Sequence, residues 1–384
     1  MPPTIPATPP VAPSSPASPA RPAPHVAPVT PEMRPVLKSG LSRTWRDQET
    51  LRFGTLPDRA QLVGRADERF RAFLALLDGE RDAAAVATAA GELGLDRECV
   101  EQTLGSLAES GLLEDAGAVE RALAALPAGR RELLEPDLAS LSLLHTGPGQ
   151  GAGALARRVG RRIEVRGAGR VGAALASTLA AAGVGTVEVV DQGRVAARDC
   201  APGGLAVQEI GRSRATAARE AVARAAGPGT AGREAGGPDL VVFAPRDGSG
   251  AYAGSADAAR ELMRAGVPHL YVGVVEHLGV VGPLVLPGAS ACGGCFGLSR
   301  TEQDAGWPRL LAQLAGEGPG RAREPACDGA LAATVAGLAA LHALLLLDGE
   351  RPPSVDGWCE VSAVDGMVRR LRLTPHLECG CFWG

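Results

Sequence analysis

Residues 161–195 read RRIEVRGAGRVGAALASTLAAAGVGTVEVVDQGRV, and this stretch constrains the fold more than any other. Arg162 to Val165 have the pattern of a short strand. Gly167, Gly169 and Gly172 then spell GxGxxG at the head of an apolar-periodic helix, and a second strand, Thr186 to Val190, ends on Asp191. Each position has a physical task. The first glycine allows a tight turn, the second lets backbone approach a phosphate, and the third lets helix and sheet pack closely. The helix N-terminus faces the anion, and an acid at the end of the second strand binds ribose hydroxyls. The motif predicts a βαβ nucleotide-binding unit on a parallel sheet. By itself it does not separate NAD from ATP.

The rest of the chain divides around this unit. Residues 1–33 are Pro, Ala and Ser with almost nothing to bury, and are expected to form a disordered tail. Residues 34–115 predict a small α+β domain. RPVLKSGLSRTWRDQETLRFG and AQLVG suggest two or three strands. Three segments opening on Asp67, Asp82 and Asp96 suggest capped helices, with Phe70, Phe73, Leu74 and Leu77 on one helical face and Val100, Leu104 and Leu107 on another. Three strands with three short helices make a winged-helix-like arrangement. Residues 116–160 read as a connector with one helix and a glycine-rich loop, and 161–384 as the nucleotide-binding domain.

Charge and composition exclude several functions. The net charge is −4 and aromatic residues make up 3% of the chain, so there is no electrostatic footprint for nucleic acid and no stacking platform for single strands. The third helix of the small domain carries Asp96, Glu98, Glu101 and Glu109 against Arg97, which disfavours DNA. Leu331 to Leu347 is the most apolar run; with His342 inside it and Asp328 and Asp348 as its nearest charges, it reads as a buried core helix and not a membrane span. Eight cysteines without a secretory signal point to reduced thiols in a cytoplasmic chain.

Cys292 and Cys295, in CGGC, and Cys379 and Cys381, in CGC, supply four thiolates suited to a closed tetrahedral structural zinc site. The second pair is one residue tighter than the usual CxxC, so His376 and Cys359 stand as substitute ligands. A closed four-thiolate site has no open position for catalysis.

Several runs together resemble the ThiF, MoeB and ubiquitin-activating-enzyme family. They are AAGVGTVEVVDQGRV, GRSRATAAREAV, PDLVVFAPRD, GPLVLPGASACGGCF, PACDGALAATVAGLAALHALLLLDG and the terminal cysteine pair, in unbroken order from about 160 to 381. The resemblance implies a Rossmann-like α/β fold with a C-terminal zinc knot, ATP and Mg²⁺ as cofactors of an active site, and a homodimer with the Leu331–Leu347 helix near its interface. It implies activation of a peptide or carrier-protein C-terminal carboxylate by attack on the α-phosphate of ATP. The small domain, in order and length, resembles the PqqD-type domain that binds precursor leader peptides, as in the partner proteins of azole-forming (TOMM) cyclodehydratases.

The family's machinery is only partly kept. Asp191 stands at the ribose position, but Gly193 replaces the acid two residues on. Where Asn–Leu–x–Arg–Gln should follow, the chain reads ARDCAPGGL, with Asp199 at the Asn and Pro202 and Gly203 in place of Arg–Gln. The phosphate-binding Lys corresponds to Arg214, which keeps charge but changes geometry. The Mg²⁺ Asp aligns with Arg246, leaving Asp247 one residue later as candidate. Arg198, Arg212 and Arg214 remain able to hold an anion. Cys327 stands where sulfur-transferring relatives carry a thiol that links to their carrier; preceding a helix, its pKa is expected to fall, and an inert remnant is the alternative. Two functions follow: a leader-peptide-binding protein with a degenerate ATP site that recruits a cyclodehydratase-type partner, or an active adenylyltransferase. An NAD-dependent oxidoreductase is disfavoured by the paired cysteines and by the missing His/Lys/Tyr pattern.

Overall fold

The computed structural model describes residues 28–56, 60–64, 67–228, 236–246, 256–316 and 326–381. Local signals place the small domain's helices. Asp67, Asp82 and Asp96 each cap one by accepting a backbone N–H of the first turn, from Phe70 at 2.8 Å, Ala85 at 2.7 Å and Glu98 at 3.1 Å. The helices are α1 (Glu68–Ala75), α2 (Ala83–Glu92) and α3 (Arg97–Glu109). Phe53, Phe73, Val86, Leu104 and Leu113 form their shared core. The strands differ from expectation in number and grouping. β1 (Pro35–Leu37) pairs antiparallel with β5 (Leu113–Asp115). β2 (Arg43–Trp45), β3 (Leu51–Phe53) and β4 (Gln61–Val63) form a separate antiparallel sheet in which β4 is an edge strand. The alternating pattern locates each strand but says nothing of the partner, and β1 finds its partner about eighty residues on.

Residues 116–160 hold three helices where one helix and a loop were expected: α4 (Ala116–Ala124), α5 (Ala128–Leu144) and α6 (Gln150–Val159). The glycines that mimic a loop are packing devices. A Cβ on Gly151 would stand 2.7 Å from the backbone nitrogen of Ser142, so α6 crosses α5 with backbone nearly touching backbone. Gly149, at φ 75, takes the left-handed conformation that starts α6.

Two buried polar clusters tie this segment to its neighbours. Lys38, the only lysine in the chain, is 3% exposed. Its ammonium donates to the carbonyls of Ser142 and Thr146 at the C-terminal end of α5. Glu114 accepts from the Gly149 N–H at the start of α6. Burial pushes the Lys38 pKa down and the Glu114 pKa up, each opposed by the other's charge. At the other end of α6, Arg158 grips Asp348 through two hydrogen bonds of 2.8 and 2.6 Å.

The remaining residues build a seven-stranded sheet in the order β12-β11-β10-β9-β8-β6-β7. β6 (Arg162–Arg166), β7 (Thr186–Val190), β8 (Leu240–Phe243) and β9 (His269–Val275) run parallel. β10 (Leu278–Val285), β11 (Gly357–Ser362) and β12 (Val368–Arg372) continue antiparallel. Period-two alternation decides what each face meets. Leu270, Val272 and Val274 of β9 join α7 (Arg170–Ala181) and α12 (Gly329–Leu347) on one face. Tyr271 joins α10 (Gly293–Gln303) and the cysteine cluster on the other. α12 is long and apolar enough to cross a membrane, but 56% of it is buried inside the protein. α8 (Arg214–Ala226) packs beside α7, and α9 (Ala256–Arg264) and α11 (Trp307–Gly316) complete the chain.

Candidate functional site

Because β7 lies on one side of β6 and β8 on the other, the loops leaving β6 and β8 diverge and open a crevice at the strands' carboxyl ends. The glycines of GxGxxG shape it. Gly167 sits at φ 114, and a Cβ there would come within 2.1 Å of the Ala244 carbonyl oxygen. A Cβ on Gly172 would come within 2.1 Å of the Gly167 carbonyl oxygen, so the third glycine lets the helix pack on the turn. Gly169 is the N-cap of α7 and offers no side-chain cap to its first turn.

Asp191 leaves β7 as expected and is already engaged. One carboxylate oxygen accepts from the Ala168 N–H at 2.9 Å. The other accepts from the Gly193 N–H at 2.7 Å and from Arg214 Nε at 2.9 Å. Burial alone would raise the Asp191 pKa; the hydrogen bonds from Arg214, Gly193 and Ala168 outweigh it and hold the carboxyl below the usual range. Gly193 makes this possible, since a Cβ there would stand 2.2 Å from Arg214 Nη2. Positions 193 and 214 are therefore sterically coupled. Asp199, in a 3₁₀ turn and 2% exposed, continues the network. It accepts from its own Ala196 N–H at 2.9 Å and pairs with Arg214 at 3.5 Å and with Arg246.

A cavity of about 140 Å³ remains in the crevice, lined by Gly169, Arg170, Arg198, Asp199, Arg246 and Cys327, among others. Arg170 donates to the carbonyls of Arg198 at 2.9 Å and Cys327 at 2.7 Å, joining the glycine loop to the entry of α12. Two expectations are corrected here. Arg212 does not reach the crevice face, because both its terminal nitrogens pair with Glu220. The Cys327 pKa is raised, not lowered: burial outweighs the Arg170 charge, and Asp328 caps α12 in its place. Asp247 lies outside the described residues. Arg170 was missed by sequence reasoning. Its signal was a cation at the first position of a helix, where the dipole disfavours positive charge, as with Arg214.

The four cysteines meet. Cys292 Sγ lies 3.9 Å from Cys295 and 3.4 Å from Cys379, Cys295 lies 3.4 Å from Cys381, and all four sulfurs fall within 4.8 Å of one another. A tetrahedron of thiolates around zinc has edges of about 3.8 Å. Burial and the neighbouring thiols push the Cys379 pKa up to about 12, so full ionisation of the set calls for a cation. The tight spacings rest on glycine: a Cβ on Gly294 would stand 2.8 Å from the Cys379 sulfur, and Gly380 adopts φ 72. Neither substitute ligand is needed. His376 pairs with Glu302 and points its backbone N–H at Cys295, and Cys359 is buried on the opposite face with α12. The donor set fits a tetrahedral ion such as zinc.

Residues 152–227 match the ThiF family. That segment spans α6 to α8, and so includes the glycine loop, Asp191, Gly193 and Arg214. No curated protein sequence matches the chain. Among solved structures, E. coli MccB with MccA-N7isoAsn superposes with a TM-score of 0.66 at 12% identity, covering 91% of this chain and 99% of that one. E. coli MccB with ATP gives 0.64 at 13%, covering 90% and 99%. PaaA gives 0.63 at 16%, covering 88% and 99%. These likenesses are of fold, and they extend beyond the ThiF segment to include the small domain.

A second concavity lies in the small domain. It is a groove of about 500 Å³ between β4 and α3, lined by Gln61, Val63, Phe70, Gln102, Thr103 and Leu107 among others, with no charged side chain among the described residues.

Proposed function

We propose that this chain binds a precursor leader peptide through its small domain and recruits it to a peptide-modifying enzyme of the cyclodehydratase type, on a ThiF-like scaffold whose nucleotide site is degenerate. The observation that carries this reading is the contrast in room. The β4–α3 groove, at about 500 Å³, is of the size ligands occupy, whereas the crevice at the glycine loop holds about 140 Å³. An extended peptide gains main-chain hydrogen bonds along the free edge of β4 and places alternate apolar side chains against Phe70 and Leu107. In the crevice, a ribose would have to displace Arg214 from Asp191, and the position expected for the Mg²⁺ acid is held by Arg246, itself paired with Asp199. The four-cysteine cluster is assigned to structural zinc.

A second reading has one observation in its favour: the fold likeness covers nearly the whole of E. coli MccB, which has been crystallised with ATP and with MccA peptides. On that reading the chain is an adenylyltransferase, ATP and Mg²⁺ enter once Arg214 swings away, and Asp247 and Cys327 are its candidate catalytic groups. ATP–pyrophosphate exchange separates the two. The recruitment reading expects no exchange with or without candidate precursor peptide, and peptide binding that disappears when residues 34–115 are removed. Exchange abolished by Asp191→Ala would replace it with the enzyme.

A further inference from the structure

The net charge of the chain is not shared evenly. Residues 34–115 hold fifteen Asp and Glu against eleven Lys and Arg, a surplus of four negative charges that equals the net charge of the whole chain. The other residues balance, so the small domain alone is electronegative. α3 carries part of that surplus to the mouth of the β4–α3 groove. At about 100° of turn per residue, Cys99, Thr103 and Ser106 fall on the stripe of α3 that lines the groove. Glu98, Gln102 and Glu109, spaced i, i+4 and i+11, fall on the next stripe, toward solvent. Gln102 belongs to both: it lines the groove, and its Nε2 donates to Glu98 at 3.2 Å.

Both carboxylates are exposed, and among the described residues neither has an ion pair. Arg97 is taken by Glu101 at 2.9 Å on the far side of the helix, and Arg69 of α1 lies against Gly94 in the turn before α3. Asp96 is occupied by the N-cap. The groove thus has neutral walls, apolar at Val63, Phe70 and Leu107, and one acidic lip.

We propose that the occupant of this groove is a cationic extended peptide, with apolar residues on one face and Lys or Arg on the other. The inference deepens the leader-binding reading and rests on it. A strand added to β4 directs alternate side chains to opposite faces. One set enters the groove against Phe70 and Leu107. The other stays at the mouth, where Glu98 and Glu109 lie about 16 Å apart along the helix. That length matches about five residues of extended chain, so two cations four residues apart reach one carboxylate each. An acidic segment with the same apolar pattern would meet like charge instead. Main-chain hydrogen bonds hold any such strand, and the two carboxylates choose among them.

The test uses the full chain and three fluorescently labelled peptides of about nine residues, read by polarisation at low and at high ionic strength. All three alternate Val and Leu with a second residue, which is Lys in one, Gln in another and Glu in the third. The Lys peptide should bind tightest and the Glu peptide weakest, about tenfold apart at low ionic strength and closer at high. Joint Glu98→Gln and Glu109→Gln should weaken the Lys peptide about fivefold and leave the Gln peptide unchanged. Glu101→Gln, on the far side of α3, should change neither. A Lys peptide no tighter than the Gln peptide, or a preference that survives the joint substitution, overturns the cationic class and leaves the groove reading intact. Binding that Thr103→Arg leaves unaltered, or no binding by any peptide, overturns both, since pairing along β4 is common to all three.

Discussion

The small-domain groove and the glycine-loop crevice differ in how their polar groups are used. Around the groove, among the described residues, one edge of β4 has no strand partner and the side chains that line it are neutral. Around the crevice, the carboxylates already face opposite charges: Asp191 with Arg214, and Asp199 with both Arg214 and Arg246. An open edge invites a partner, whereas a closed ion-pair network has to be broken before a ligand can use it. The comparison teaches that a GxGxxG βαβ unit can be kept, glycine for glycine, while the acid after its second strand turns to a neighbouring arginine.

The largest expected effect sharpens the structural side of the comparison. Cys292→Ser, or zinc removal by a chelator, should destabilise the sheet half by several kcal/mol and lower its thermal midpoint, with peptide affinity of the small domain surviving below that midpoint. Simultaneous loss of peptide binding would show that the groove depends on the distant clip. Next comes acid. His342 in α12 is 3% exposed, and burial lowers its pKa to about 4 from 6.5. The unfolded chain therefore binds the proton first. Stability should be constant above about pH 6.5 and fall by about 3 kcal/mol as pH drops to about 4. His342→Leu should flatten that window in pH-dependent denaturation. Asp348 behaves alike but lower: burial would raise its pKa, the hydrogen bonds from His145 and Arg158 outweigh this, and its contribution is lost only below the ordinary carboxylate range.

A smaller effect, about 2 kcal/mol or some thirtyfold in affinity, is expected from Thr103→Arg in the groove. Its thermal midpoint should match the parent, and unchanged peptide binding by polarisation would move the docking site elsewhere. The smallest is at the crevice. Arg214→Lys keeps the charge but gives up the fork that holds Asp191 and Asp199. It should raise ATP affinity by tenfold or less. A gain of a thousandfold would mean that the network alone keeps nucleotide out, and the contrast between the two regions would shrink to one side chain.

Much of this was readable in the residues. The caps at Asp67, Asp82 and Asp96, the βαβ unit and the cysteine spacing are local patterns, and local patterns survive folding. What escaped was long-range pairing and close approach. β1 pairs with β5 across the whole small domain, and the glycines of 149–153 resemble a loop until α6 is seen against α5. At the crevice, Gly193 and Arg214 were read separately, yet the guanidinium occupies the space that a side chain at 193 would fill. The Cys327 thiol was misjudged because proximity to a helix was weighed without the burial that opposes it.

Lys38 has a consequence of another kind. As the only lysine, held against the carbonyls of Ser142 and Thr146, it leaves the folded chain without an accessible side-chain amine. Acyl groups that form isopeptide bonds with ordinary proteins would find no exposed lysine here. The chain can stand beside activated carboxylates without being acylated on lysine, and amine-directed labelling of Lys38 would report, one residue at a time, when the small domain parts from α5.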